Sequence, residues 1–492
     1  MFRKNYIVKI NLPGGIVAAG DLYAIAEAAG RARVTDMQFG ARQQLLCKVA
    51  DAYGAGFLHE LEQAGIFFET EKESHPNIIS SYVTEGVFGR SQWVGEGLYK
   101  DILEGFDHRP RLKINLVEGS QSFVPFFTGH LNFISSTINN HWHLVLRLPA
   151  TDELYSWPVA IYSPDIPRIS RLIEEGLVPE GQSPSPDWGQ RLYHSVKDLG
   201  FTGSDTLPPP LRLPAFNLPY YEGFNRYGNK IWLGIYRREE LYPLSFLKDL
   251  CLVCLQTKIG QLYTTPWKSL LVKGIEEQDQ HLWEYVLGKH RINVRHASIE
   301  LNWQIEDFCP EGLQLKRWLV RRLDLEDIRT EGLTFAIRTR PRSGLSGSVV
   351  IRKQEGIRPD QLKLLDRYDI WHTVDFNAHS KEYVLFRKGL EKEDLFPYLA
   401  SLCKEFYRQQ SSQDPIALQE HPGQGMATKQ EAFQCIHCLT LYDAQYGDPI
   451  NGEAPGTAFG QTSPEYVCPV CGAPKSDFRA VEKSTPIQGR LS

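Results

Sequence analysis

The feature that most constrains this chain lies near its C-terminus. Cys435-Ile-His-Cys438 is followed, after 29 intervening residues, by Cys468-Pro-Val-Cys471-Gly-Ala-Pro. A two-residue spacer lets each pair turn tightly and aim both sulfurs at one centre. Four thiolates delivered in this way make a tetrahedral S4 site, which suits iron or zinc. Zinc ribbons usually keep their pairs roughly fifteen to twenty residues apart. The wider gap here counts against a ribbon, which stands as the alternative.

Between the pairs runs Gly447-Asp-Pro-Ile-Asn-Gly-Glu-Ala-Pro-Gly-Thr457, and the second pair continues into Gly472-Ala-Pro-Lys475. Phe433, Tyr442, Phe459, Tyr466 and Phe478 are interspersed. From about Phe433 to Val481 the stretch resembles rubredoxin, the small one-iron electron carrier. The resemblance implies an FeS4 centre held by Cys435, Cys438, Cys468 and Cys471, packed on those five aromatics and cycling between Fe(III) and Fe(II). It also implies that the second cysteine of each pair, Cys438 and Cys471, lies nearest the surface, where electrons leave by outer-sphere transfer. Two departures stand out. Gly472 follows the second pair as the family has it, but Leu439 follows the first, where glycine would permit a left-handed backbone and an amide aimed at sulfur. Thr440 replaces a usual aromatic. Loss of that amide–sulfur bond at Leu439 would move the reduction potential, and His437, within the first knuckle, would act on the iron site electrostatically.

A chain of 492 residues exceeds one ordinary core, so two or three domains are expected. Its 42% hydrophobic and 23% charged residues are those of a soluble globular protein. A net charge of −5 gives no nucleic-acid footprint, so no nucleic-acid partner is expected. No apolar run reaches the roughly 18 residues that span a bilayer, and the N-terminus reads as a strand rather than a signal peptide. Nine cysteines, four of them in the metal motif, suit a reducing cytoplasm better than a disulfide framework.

From the N-terminus, residues 5–12 read as a strand. Gly20-Asp21 opens a helix through an aspartate cap, with Leu22, Ile25, Ala26 and Ala29 at helical spacing. Residues 34–39 read as a strand that continues, after a kink, through 44–49, and Leu58, Leu61 and Ile66 mark a second helix. The run Ala41-Arg-Gln-Gln-Leu-Leu46 after this unit's Gly-Gly turn and helix is similar to the ferredoxin-like half domain of sulfite and nitrite reductases. That family carries two such half domains, each followed by a larger α/β domain, about a pseudo-twofold. A second copy is present. Residues 220–235 lead into a helix over 244–255, and Thr265-Pro-Trp-Lys-Ser-Leu270 resembles the family's Thr-Pro-Trp motif.

The fold class expected is therefore α+β: a duplicated reductase-like body with a small C-terminal rubredoxin-like metal domain. The boundaries expected are a half domain over 1–72, a larger domain over 73–207, a second half domain over 208–290 and a second larger domain over 291–410. A linker over 411–431 and the rubredoxin-like domain over 432–484 complete the chain.

The sirohaem reductases hold a [4Fe–4S] cluster with four cysteines in their second large domain. Those pairs are missing between Ile292 and Ile351, where Cys309 stands alone, so no [4Fe–4S] cluster is expected and sirohaem is disfavoured. Sirohaem carries eight carboxylates, and the resemblance aligns Arg42, Arg111 and Lys113 with cations that could meet such an anion. Ordinary strand-face charge is the plainer reading of these three. Cys251 and Cys254, on an apolar helix, read as buried thiols. His141 and His143 share one strand face, as a ligand pair or as polar face residues. The leading function is a cytoplasmic electron-transfer protein whose body docks to or scaffolds a partner oxidoreductase, with nitrite, nitrate or sulfite assimilation suggested by the resemblance. Two alternatives stand: a reductase holding sirohaem or another cofactor with the rubredoxin as built-in donor, and a non-enzymatic carrier or sensor of tetrapyrrole or iron.

Overall fold

The computed structural model describes residues 5–70, 74–89, 91, 93–148, 153–176, 187–199, 206–207, 209–295, 297, 299–341, 343–354, 366–380, 382–413, 431–438, 440–442, 444, 448, 451, 453 and 457–482. The chain forms two compact units, Met1–Gln413 and Asp414–Ser492. Among the described residues, no helix is long and apolar enough to cross a membrane.

In the first unit the strand Asn5–Ile10 pairs antiparallel with Leu45–Ala50 and with Phe68–Glu69. The run that the sequence suggested as one kinked strand is instead a hairpin. Asp36–Phe39 and Leu45–Ala50 run antiparallel, with Met37 opposite Cys47 and Phe39 opposite Leu45. The reversal is made at Gln43, whose φ of +56° is left-handed, a conformation that costs a non-glycine residue about 1–2 kcal/mol. Buried hydrogen bonds hold it: Gln43 Nε2 donates to the carbonyls of Ser80 and Thr264, at 3.1 and 3.0 Å. Lys268 has φ +57° at the equivalent turn of the second copy. The first helix, Ala19–Arg31, buries Leu22, Ile25, Ala26 and Ala29 as the spacing requires, but Asp21 is not its cap. The chain arrives along a strand, Ile16–Ala18, so Asp21 falls inside the first turn, where its charge favours the helix dipole.

That short strand belongs to the other copy. Ile16–Ala18 pairs with Gln261–Tyr263 of the second half domain, and Tyr242–Pro243 of the second pairs with Asp36–Met37 of the first. Each half domain thus lends a strand to its mate's sheet. Their buried side chains merge into one core in which Ile10, Leu22, Phe39 and Leu45 pack with Phe246, Leu247, Leu262 and Leu270.

The larger domains repeat one topology. Ile79–Ser80, Ile114–Val117 and Leu131–Ser135 are parallel neighbours, followed by antiparallel His141–Arg147 and Leu154–Ser156. Trp303–Ile305, Phe335–Arg338 and Val349–Lys353 repeat the parallel trio, and Tyr368–Thr373 and Tyr383–Leu390 the antiparallel pair. The final helix, Lys392–Gln413, runs into the segment expected as a linker over 411–431. Gln409 donates to Glu405 one turn back, which supports the extension. The rest of the predicted linker, 414–430, lies outside the described residues.

In the second unit Glu431–Cys435 forms the middle of a three-stranded antiparallel sheet, flanked by Leu441–Tyr442 and Phe478–Glu482. Tyr442, Phe459 and Tyr466 are buried together against Phe433 and Phe478. These are the five aromatics that the sequence marked. Phe433 stacks on Phe459 at 4.4 Å between centroids, and Tyr466 donates to Asp448 at 2.8 Å.

Candidate metal centre

Two knuckles of the second unit bring the four cysteines together. In the first, Cys435 N–H donates to Thr440 O at 2.9 Å. In the second, Cys468 N–H donates to Ala473 O at 2.8 Å, and Gly472 takes the left-handed φ of +70°. The knuckles are therefore equivalent, with Thr440 and Ala473 in matching places. Leu439 lies outside the described residues.

All four sulfurs lie within 4.8 Å of one another. Cys435 and Cys471 are 3.6 Å apart, and Cys438 and Cys468 3.4 Å. A tetrahedron with metal–sulfur bonds of about 2.3 Å has edges of roughly 3.8 Å, so the donor set fits one thiophilic ion. Cys435 and Cys468 are buried, Cys438 is half-buried and Cys471 is exposed. The second cysteine of each pair faces out, as the sequence reading expected. Ile436, Leu441, Val467 and Val470, each within three residues of a ligand cysteine along the chain, are between 40 and 57% exposed.

In the thiol state burial raises the Cys438 pKa. The Thr440 hydroxyl and amide, with the Cys468 and Cys471 thiols, outweigh burial and bring it down to about 6. Cys471 goes the other way. The Ala473 amide pulls its pKa down, but burial and the three neighbouring thiols push it up to about 12. His437 Nε2 lies 2.8 Å from Asp477 Oδ2, which ties the first knuckle to the turn before the last strand.

The family profile described as Rubredoxin matches residues 432–478. The "Probable rubredoxin HupI" of Bradyrhizobium diazoefficiens is 47% identical over 50 residues, 10% of this chain and 72% of that protein. Through this domain the chain belongs to the rubredoxin family. The "High molecular weight rubredoxin" of Moorella thermoacetica is 43% identical to the rubredoxin domain over 49 residues, again 10% of this chain, and the chain spans about a fifth (21%) of that relative's length. The rest of the molecule has a different likeness. A solved structure, the NirA protein of Mycobacterium tuberculosis, superposes with a TM-score of 0.63 at 14% identity, over 82% of this chain and 81% of that one. At that identity the likeness shows the fold. It is the fold of the reductase-like body that the internal duplication led us to expect.

The body holds a cavity of about 530 Å³, lined in part by Lys9, Arg42, Lys113, Arg147 and Arg340. Arg42 and Lys113, two of the three cations that the resemblance singled out, both line it. Arg42 Nη2 donates to the carbonyls of Asn77 and Ile114, at 2.7 and 3.1 Å. Arg111 is not among the lining residues. Its amide donates to Glu174 at 2.7 Å, and its exposed guanidinium lies 3.9 Å from the same carboxylate. Lys9, Arg147 and Arg340 escaped the sequence reading because they sit in unrelated segments that only the fold assembles. Two carboxylates share the wall. Glu306 accepts the amides of Thr339 and Arg340, at 2.8 and 3.1 Å, and Asp307 lies 3.4 Å from Lys268 Nζ. By formal charge the lining carries five cations against two carboxylates.

Cys309 caps the helix Pro310–Leu325. Its Sγ accepts the Gly312 amide at 3.3 Å and contacts Thr339 Oγ1 at the same distance. Cys251 and Cys254 are fully buried and their thiols are held well above their usual pKa by burial, so they act as core residues. His141 Nδ1 contacts Asn139 O at 2.8 Å, while His143 is buried, which lowers its pKa.

Proposed function

We propose that this protein carries single electrons through an FeS4 centre held by Cys435, Cys438, Cys468 and Cys471, and passes them to a partner oxidoreductase. The observation that carries this reading is the half-in, half-out arrangement of the four sulfurs. Cys435 and Cys468 are buried, Cys438 is half-buried and Cys471 is exposed, with exposed apolar side chains close by along the chain. A one-electron centre with no open coordination position has no place for substrate. What it offers is an edge that another redox centre can approach, and the exposed apolar side chains of Ile436, Leu441, Val467 and Val470 suit contact with a partner protein. On this reading the body docks or scaffolds the partner, and its fold ties the partner by analogy to nitrite, nitrate or sulfite reduction. The cytoplasm, where thiols stay reduced, is the compartment that fits.

The body itself is read as lacking a [4Fe–4S] cluster. A cubane needs four cysteine ligands, and no cysteine is among the residues that line the cavity. The cationic cavity favours a second reading, in which the body holds a polycarboxylate such as a tetrapyrrole and the rubredoxin domain serves it as donor. Arg42 and Lys113, with Arg147 and Arg340, would meet its carboxylates.

The test is the visible spectrum of anaerobically purified protein, with metal analysis and acid–acetone extraction on the same sample. An FeS4 spectrum that bleaches with dithionite, with iron equal to protein and no pigment in the extract, supports the carrier. Protein from iron-replete cells that holds zinc and does not bleach overturns it. An extracted tetrapyrrole moves the assignment to the second reading.

A further inference from the structure

We propose that Thr440 raises the reduction potential of the metal centre by donating its side-chain hydroxyl to Cys438 Sγ. This inference rests on the iron assignment above. Thr440 Oγ1 lies 3.1 Å from Cys438 Sγ. In a thiol either atom could donate. Once Cys438 is a metal thiolate it carries no proton, and the hydroxyl becomes the donor. Reduction from Fe(III) to Fe(II) adds a negative charge that spreads onto the sulfurs. A donor already aimed at one of them binds the reduced state more strongly than the oxidised one, so the potential rises.

The two knuckles make the effect one-sided. Thr440 and Ala473 occupy equivalent places, each accepting the amide of the first cysteine of its pair. Ala473 has no hydroxyl, so Cys471 has no such side-chain donor from its own knuckle. The contact also sits on an outer sulfur. Cys438 is half-buried, so the bond is shielded from full competition by water while remaining at the edge a partner meets. Thr440 is a positioning and tuning residue. It is not a ligand.

The experiment is equilibrium redox titration of the full-length protein, followed by its visible absorption, for the parent, Thr440→Val and Thr440→Ser. Iron content is measured first, and a preparation holding zinc is reconstituted with ferrous iron. The valine variant is expected to hold iron and to shift the oxidised-to-reduced ratio at fixed potential about three- to tenfold towards oxidised, the tenfold limit being a fall of 59 mV for one electron. The serine variant keeps the hydroxyl and is expected to stay with the parent. Should valine prevent iron binding, Thr440→Ala removes the hydroxyl with less bulk and gives the same comparison. A parent that cannot be reduced at all speaks against the electron-carrier reading. A reducible parent whose valine or alanine variant titrates at the same potential, or whose serine variant falls with them, overturns the role of Thr440 alone.

Discussion

Glu240 is the residue whose loss should most disturb the body. It is 2% exposed, and two ammonium groups converge on it, each 3% exposed or less. Lys268 Nζ lies 2.8 Å from one carboxylate oxygen and Lys316 Nζ 3.5 Å from the other. Gln38 Nε2 donates to the same group at 3.3 Å. Glu240→Gln keeps the shape and removes the charge on which the two lysines converge. Breaking a buried pair from one side costs about 3–5 kcal/mol. Lys268 retains Asp307 at 3.4 Å, and Lys316 retains the Tyr236 hydroxyl at 2.6 Å, so the lower end, about 3 kcal/mol, is expected. The loss should depend on pH. Burial already holds the Lys316 pKa below its usual 10.5, with the neighbouring Lys268 charge adding to this against the pull of Glu240. Removing Glu240 lowers it further. The unfolded chain then binds more protons than the folded one, so stability of the variant rises with pH up to the unfolded lysine pKa. The deficit should be largest near neutrality and shrink towards pH 10. Urea unfolding followed by tryptophan fluorescence measures it cleanly, because all ten tryptophans lie between Trp93 and Trp371, in the first unit. A deficit below about 1 kcal/mol, the value of an exposed pair, or one unchanged between pH 7 and pH 10, would refute this account of the buried cluster.

Cys435→Ser should abolish the FeS4 absorption while leaving the tryptophan unfolding transition in place, since the two signals report different units. Gly234→Ala should destabilise the body by at least about 3 kcal/mol, the top of the usual overpacking range, because an added Cβ would stand 1.9 Å from the Tyr221 carbonyl oxygen, as urea unfolding would register. Cys251 and Cys254, buried with raised thiol pKa values, should resist a thiol reagent in the folded protein and react once urea unfolds it. If the cavity holds a polycarboxylate, Lys113→Ala combined with Arg147→Ala should lower the pigment recovered by acid–acetone several-fold, whereas Arg111→Ala should not.

What could be read before folding was what lies close in sequence or recurs. The metal ligands form two local turns, so spacing alone paired them, and the aromatics that pack together in the same unit fall at the positions the family resemblance marks. The duplication showed because the Arg42 and Trp267 segments each follow a similar strand and helix. The exchanged strands were not legible. Ile16–Ala18 and Tyr242–Pro243 are too short to carry a period-two pattern, and their partners lie more than 200 residues away. The hairpin at Gln43 was missed for a related reason. A left-handed glutamine is stabilised by carbonyls at Ser80 and Thr264, and no local signal announces either. Arg111 and Lys113 are neighbours on one chain segment, yet Lys113 reaches the cavity wall and Arg111 a glutamate whose side chain is largely buried. Sequence proximity could not separate them.

The lent strands set an order on how the protein comes into being. The first half domain leaves the ribosome with its Ile16–Ala18 segment facing a sheet that does not yet exist, because Gln261–Tyr263 follows about 240 residues later. At a synthesis rate of about 5–20 residues per second, that interval lasts roughly 10 to 50 seconds. Throughout it the nascent chain carries an unpaired strand and half of a shared core, Leu22 and Phe39 among it, with nothing to close over them. The two halves are therefore not independent products joined by a hinge. Neither is finished until the other arrives, and the interval between them is when this molecule most needs shelter from its own kind.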